Sequence, residues 1–314
     1  MTQSPESTRR VAITGASGLI GSALSASLRG RGDQVIHLVR RDPAAAPAEG
    51  VTEVRWDPAR QQVDTESLVG VDAVVHLAGA GLGDKRWTED YKRTIRSSRV
   101  DGTSTISNAV AALDPVPRLV SGSAMGIYGH RGDDVLTEES TLGEDFLAGV
   151  CQDWEAATRP AEEAGSAVSH LRTGLVLSRE GGAMGRLLPL ARLGLAGPLG
   201  TGDQYWSWIT LRDHVRAVQF LLDHPEITGP VNAGGPHPDT QRDVVAALGR
   251  QLHRPTVLPA PTIALRLALG EMASDILGSI RMLPAVLQEA GFEFDHPDLE
   301  SAMAWLGTRT GDTR

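Results

Sequence analysis

The chain has 314 residues, 41% of them hydrophobic, and a formal net charge of −9. That length supports one large domain or two modest ones sharing a cleft, and the acidic balance argues against a nucleic-acid backbone as partner. Its single cysteine, Cys151, excludes an internal disulfide and a thiolate-built structural metal site, so no metal is expected.

The first ten residues, MTQSPESTRR, are polar and lack the apolar core of a targeting signal. No uncharged apolar run reaches the roughly 18 residues that a membrane span needs. A cytoplasmic protein with no membrane partner is expected. Next comes VAITGASGLIG, residues 11–21, an apolar strand running into glycines at 15, 18 and 21 and then into a helical pattern. Further apolar runs at 35–39, 52–56, 72–77, 118–121 and 168–177 alternate with amphipathic segments. Such alternation predicts βαβ crossovers and a parallel sheet covered by helices on both faces.

The first helix is predicted from about Leu19 to the glycines at 30 and 32, and a longer one from Thr88 toward Leu113. After about residue 178 the character changes to a glycine- and leucine-rich stretch, a proline-punctuated segment at 255–261 and short helices from Ile263 onward. The predicted fold is therefore α/β: an NAD(P)-binding Rossmann fold over 9–178 plus about 209–234. A smaller, mainly helical substrate domain takes 179–208 and 235–310.

The ligand crevice of a parallel sheet lies at the carboxyl ends of its strands, where unpaired N–H groups and a helix dipole favour an anion. Glycines there let the backbone approach a pyrophosphate. The loop Gly15, Ala16, Ser17, Gly18, Leu19, Ile20 and Gly21 departs from the G-x-G-x-x-G spacing, but its place between strand and helix carries the assignment. No G-x-x-x-x-G-K-[ST] pattern is present, which disfavours a nucleotide triphosphatase. The second strand ends in VIHLVRRD, placing Arg40 and Arg41 where an NAD site usually carries an acid. Two guanidinium forks suit a ribose 2′-phosphate, so NADP(H) is preferred over NAD.

These motifs, with VVHLAGA and SGSAMGIYG, resemble an extended-type short-chain dehydrogenase/reductase. KRW at 85–87, IRSSRV, DFLAGVCQDWEAA, LRTGLVLS, GGAMG, WSWI and LPAVLQEAGFEFDHPDLESAM narrow the resemblance to the atypical epimerase family of that group, which has its own C-terminal extension. The resemblance implies that Leu77, Ala78 and Gly79 line the ribose and nicotinamide side, that Val176 lies near the nicotinamide, and that Thr94 and Arg99 face the cofactor. From its helix, Arg99 is either a phosphate contact or a surface charge.

Short-chain reductases transfer a proton through a Tyr-x-x-x-Lys pair, the ammonium favouring the phenolate. Here Ile95, Gly132 and Ile209 stand four residues after Tyr91, Tyr128 and Tyr205, so the pair is missing from the chain. Counting back from Glu155, Leu147 and Cys151 occupy its places. Ser123 and Tyr128 remain as candidate catalytic hydroxyls; His130 is the nearby neutral-range titrant. Trp206 and Trp208, with Asp213 and the loop Gly181–Gly185, either wall a substrate or belong to the core. The reading is an NADP(H)-dependent oxidoreductase acting on a small, apolar substrate without the usual pair. The alternatives are a non-catalytic NADPH-sensing protein and, third, a nucleotide-sugar epimerase. A homodimer is compatible with the sequence.

Overall fold

A computed structural model of the chain describes residues 8–307. The first residues of MTQSPESTRR and the predicted domain end at 308–310 lie outside them. In chain order the first half runs β1 (Arg10–Thr14), α1 (Leu19–Gly30), β2 (Gln34–Val39), β3 (Val51–Asp57), β4 (Gln62–Val63), β5 (Ala73–His76), α2 (Glu89–Ala111) and β6 (Arg118–Ala124). It continues through β7 (Val135–Leu136), α3 (Phe146–Ala156), α4 (Arg159–Glu163), β8 (Val168–Thr173), β9 (Leu175–Leu177), α5 (Gly182–Arg192), β10 (Tyr205–Trp206), β11 (Trp208–Thr210), α6 (Leu211–Asp223) and β12 (Gly229–Ala233). The remainder is β13 (Asp239–Thr240), α7 (Gln241–Leu252), α8 (Thr262–Leu269), α9 (Met272–Ile276), β14 (Arg281–Met282), α10 (Ala285–Glu289) and α11 (Leu299–Gly307).

The central sheet has the order β12-β8-β6-β5-β1-β2-β3-β4, parallel throughout except where β4 turns back on β3. In the central strands β1, β5, β6 and β8 alternating side chains are buried on both faces, whereas β3 and β4 at the margin are partly exposed. One face holds Val11, Ile13, Val75, Val120 and Leu171 against Leu24 and Leu28 of α1 and Val218 and Leu221 of α6. The other holds Ala12, Ile36, Val74 and Leu119 against Ile106 and Val110 of α2 and Ala161 of α4. Strand order runs outward in both directions from β1, so a switch point with an open crevice falls at the carboxyl ends of β1 and β5.

Two local differences from the sequence reading have plain causes. The single strand expected over 168–177 is two, β8 and β9. Between them a Cβ built on Gly174 would lie 2.4 Å from the Ser207 carbonyl oxygen, so only glycine lets the chain pass from its pairing with β12 to its pairing with β11. Strand β12 gave no apolar run because it contains Gly229, Pro230 and Asn232. It is an edge strand, where proline is tolerated. Among the described residues no helix is long and apolar enough to cross a membrane.

Candidate functional site

At the switch point, β1 is followed by Gly15 with φ +68°, and a Cβ built there would stand 3.0 Å from the backbone of Leu77 and Ala78. Gly18 is the N-cap of α1, and no side chain caps that helix, so its first N–H groups face the crevice without a competing acceptor from a side chain. Gly21 does something different. It is buried, and a Cβ on it would fall 2.3 Å from the Gly15 carbonyl oxygen, so it sets the close approach of α1 to the loop rather than touching a ligand. Leu19 and Ile20 likewise turn into the core beside α6.

The resulting cleft has a volume of about 1170 Å³. It is lined by Gly15, Ala16, Ser17 and Gly18, by Arg40 and Arg41, by Leu77, Ala78 and Gly79, and by Thr94. Val176 lies outside it, paired with Ile209 and packed on the α1–α6 core. The two arginines are not equivalent. Arg41 is held bidentately by Glu53, Nη1–Oε2 at 2.8 Å and Nη2–Oε1 at 2.5 Å, whereas Arg40 is exposed and makes no ion pair among the described residues. Arg41 and Glu53 favour each other's charged forms, raising the guanidinium pKa and lowering the carboxyl pKa.

Arg99 is not the free surface charge that its helix position allows. It is largely withdrawn from solvent, donates from Nη1 to the carbonyls of Ala80 and Ile95 at 3.0 Å each, and lies 5.1 Å from the Trp154 ring centroid.

The places of the missing Tyr and Lys are packed shut. Leu147 is buried among Trp87, Tyr91, Ile95, Val150 and Met272, and Cys151 among Ile127, Tyr128, Ile280 and Met282. Burial pushes the Cys151 thiol up to about 12, too weak an acid to replace a phenol–ammonium pair. Tyr128, expected to look into the cleft, is instead fully buried: its hydroxyl donates to Asn232 Oδ1 at 2.6 Å and accepts from Arg172 Nη1 at 3.0 Å. Burial also raises its pKa. Ser123, 3% exposed, donates to Glu155 Oε1 at 2.7 Å. Both hydroxyls therefore belong to one interior network rather than to the lining of the cleft, because β6 and β8 pair Ser123 with Arg172 and draw both toward α3.

Trp208 is core, fully buried with its Nε1 donating to Asp239, while Trp206 is half-buried against the same cluster. Thr210 caps α6 by accepting the Asp213 N–H, and the buried Asp213 carboxylate accepts the N–H groups of Asp295 and His296, so Asp213 anchors the C-terminal segment and lies outside the cleft lining. Gly181 and Gly182 lie over Leu19 at the start of α1. His130 is exposed, its ring against Gly278.

Residues 11–234 match the model of the NAD dependent epimerase/dehydratase family. The chain belongs to that family. Residues 260–306 of this epimerase-family chain match a second model, a domain of unknown function designated DUF1731. An epimerase family protein of Mycobacterium bovis is 44% identical over 302 residues, 96% of this chain and 98% of the relative. A Staphylococcus aureus (strain N315) homologue is 32% identical over 293 residues, 93% of this chain and 96% of its own. Among solved structures, the human epimerase family protein SDR39U1, determined with NADPH, superposes with a TM-score of 0.86 at 27% identity, covering 95% of this chain and 99% of that one. A Corynebacterium glutamicum protein described as a nucleoside-diphosphate sugar epimerase gives 0.76 at 37% identity, covering 96% of this chain and 59% of that one.

In this member of the epimerase family the cleft has walls that sequence reasoning missed. His37 and Glu53 line it from β2 and β3, Trp56 from the end of β3 and Pro58 just after it, Asp84 and Lys85 from the segment entering α2, and Tyr91 from the first turn of α2. His37 and Glu53 are direct partners across β2 and β3, close to where β2 ends at Val39 and leads into Arg40 and Arg41, and that pairing is not written in the sequence. The Tyr91 hydroxyl donates to the Gly81 carbonyl at 2.5 Å and so braces the loop. Nothing in one sequence pointed to that bond.

Proposed function

We propose that this chain binds NADP(H) and acts as an oxidoreductase on a small, apolar substrate without a protein phenol as proton donor. The observation that carries the cofactor assignment is the junction of an uncapped helix N-terminus at Gly18 with Arg40 and Arg41 on one wall of one cleft. The residues fit the group: Gly15 and Gly18 leave the pyrophosphate place free of side chains, and Arg40, unpaired, has its donors available for a 2′-phosphate. The NADPH bound to the human relative supports the same choice. When bound, the dinucleotide supplies a hydride at its nicotinamide ring.

The protein's own contribution is positioning. Leu77, Ala78 and Gly79 shape the wall beside the ring, and the apolar cluster around Leu147 excludes water from the place of the usual acid. A sugar epimerase is disfavoured, since the chemistry expected of it needs the absent tyrosine. One specific observation favours a second reading, a non-catalytic NADPH-binding protein: Ser123, Tyr128, Leu147 and Cys151 are all withdrawn from the cleft. Deuteride-labelled NADPH, offered with a panel of carbonyls, imines and enones, separates the two. Deuterium in a product supports the oxidoreductase; tight binding with no transfer across the panel supports the sensor.

A further inference from the structure

We propose that one face of the C-terminal part, built from the end of α5, from α8 and from the segments beside them, docks on an anionic lipid surface. The proposal goes beyond the cofactor assignment and does not depend on it.

Seven large apolar side chains among the described residues are more than half exposed, and only Val69 lies elsewhere. The other six are Leu193, Leu195, Val257, Leu258, Ile263 and Leu267, at 55–77%. Helix α8 has the sequence TIALRLAL and buries none of its residues, although six of the eight are apolar. Ile263 and Leu267 are one turn apart and share a face. The chain holds the two stretches side by side. Arg254 Nε donates to the Arg192 carbonyl at 2.9 Å, the Ala260 N–H donates to the Pro198 carbonyl at 2.8 Å, and a Cβ on Gly200 would meet Thr262 Oγ1 at 2.9 Å. Exposed apolar side chains scattered singly need no explanation; six on adjoining backbone mark an interaction surface.

Charge decides what covers it. The chain carries 39 acids, yet residues 181–202 and 244–270 hold none, while they hold Arg186, Arg192, Arg250, Arg254 and Arg266. All five arginines are exposed, and none makes an ion pair among the described residues. The acids that flank these stretches are mostly engaged: Glu271 by Lys92, Asp203 by Arg242 and Asp243 by the Thr240 hydroxyl. Asp275 of α9 is half-buried near His130, and Glu180 precedes α5, at the far end of that helix from Arg192. A second copy of this chain would set arginines against arginines with no acid between them, which repels. A phosphodiester surface suits both parts of the face: guanidinium forks bond its phosphates, and the apolar side chains enter the headgroup boundary. The net charge of −9 does not oppose this, because salt screens the rest of the molecule beyond roughly 8 Å and the membrane responds to the face turned toward it. Such docking lies in the membrane plane and needs no spanning helix.

The test is co-sedimentation of the full chain with phosphatidylcholine vesicles, with and without phosphatidylglycerol. The wild type is expected to bind the anionic vesicles at least about tenfold more tightly than the neutral ones, and to release them in about 0.5 M salt. Arg192→Gln with Arg266→Gln should weaken anionic binding roughly thirtyfold, the worth of two cations near such a surface. Ile263→Ser with Leu267→Ser should weaken it about tenfold or more while keeping the wild-type melting temperature, since neither side chain is buried. No binding of the wild type to anionic vesicles overturns the proposal, and that reading depends on no variant. Equal binding to both compositions overturns it as well, as does an arginine variant that binds like the wild type. A dimer in sedimentation equilibrium that the serine variant dissolves, with no vesicle binding, would assign the face to a second copy instead.

Discussion

Arg172 grips Glu155 with two parallel bonds, Nε to Oε1 and Nη2 to Oε2, each 2.9 Å, and both side chains are largely buried. The pair is the hub of the network that takes up Ser123 and Tyr128. Removing one member strands the other without compensation, which typically costs 3–5 kcal/mol in a buried pair. Glu155→Gln and Arg172→Met are each expected to lose about that much in urea unfolding, and the double variant less than the sum. A loss below about 1 kcal/mol for either single variant would mean that the network is a surface feature.

Arg40 and Arg41 are predicted to separate NADPH from NADH. Replacing both with alanine should weaken NADPH by roughly tenfold to a hundredfold, the worth of one or two charge-assisted bonds, and leave NADH nearly unchanged. Arg40→Ala alone should account for the greater share, because Arg41 already spends its fork on Glu53. Titration calorimetry with both dinucleotides checks this, and equal losses would refute a 2′-phosphate site.

Two buried histidines set a pH dependence. Desolvation lowers His76 to about 3 and His214 to about 4, from an ordinary value of 6.5. Each is neutral when folded and protonates more readily when unfolded, so the unfolded chain binds more protons below pH 6.5. Their contribution is whole above that pH and drains away as pH falls toward 4 and then 3. Denaturant midpoints should decline from pH 6.5 to 4.5, and the double variant His76→Gln, His214→Gln should show a shallower decline. An unchanged slope would assign the acid sensitivity elsewhere.

Cys151 should be inert in the native protein. A thiol held near 12 and 3% exposed offers almost no thiolate at pH 8, so iodoacetamide should label it only after unfolding. Labelling at the rate of a free thiol under native conditions would show that α3 opens in solution.

Gly21→Ala tests the glycine that faces no ligand. Its Cβ would land on the Gly15 carbonyl oxygen and the Ala16 Cα, both backbone, so the loop must shift. A destabilisation of about 1–3 kcal/mol is expected, along with weakened dinucleotide binding. A melting temperature and affinity equal to the wild type would show that the loop yields freely.

Much of the fold was legible because its signals are local. The apolar runs of β1, β2 and β5 and the Thr88 cap of α2 are each written within a few residues, and the Thr88 hydroxyl does accept the Tyr91 N–H at 3.2 Å. The loop at 15–21 and the arginine pair were legible for the same reason. What the sequence hid depends on direction. A hydroxyl at Tyr128 reads the same whether it faces a cleft or Asn232, and only the packing of β8 and β12 against each other decides it. Arg99 likewise sits at a position compatible with solvent, and the space left beside Gly79 is what draws it inward.

The order of the strands has one more consequence. β12 completes the sheet beside β8, yet 55 residues lie between the two, counting from 174 to 228, and they include α5, β10 and β11. A chain emerging from the ribosome therefore makes most of its sheet early and must leave the margin bare until residue 233 has been synthesised. During that interval an unpaired parallel edge is exposed, and a stalled or clipped chain ending before β12 would be the form most prone to stick to other nascent chains.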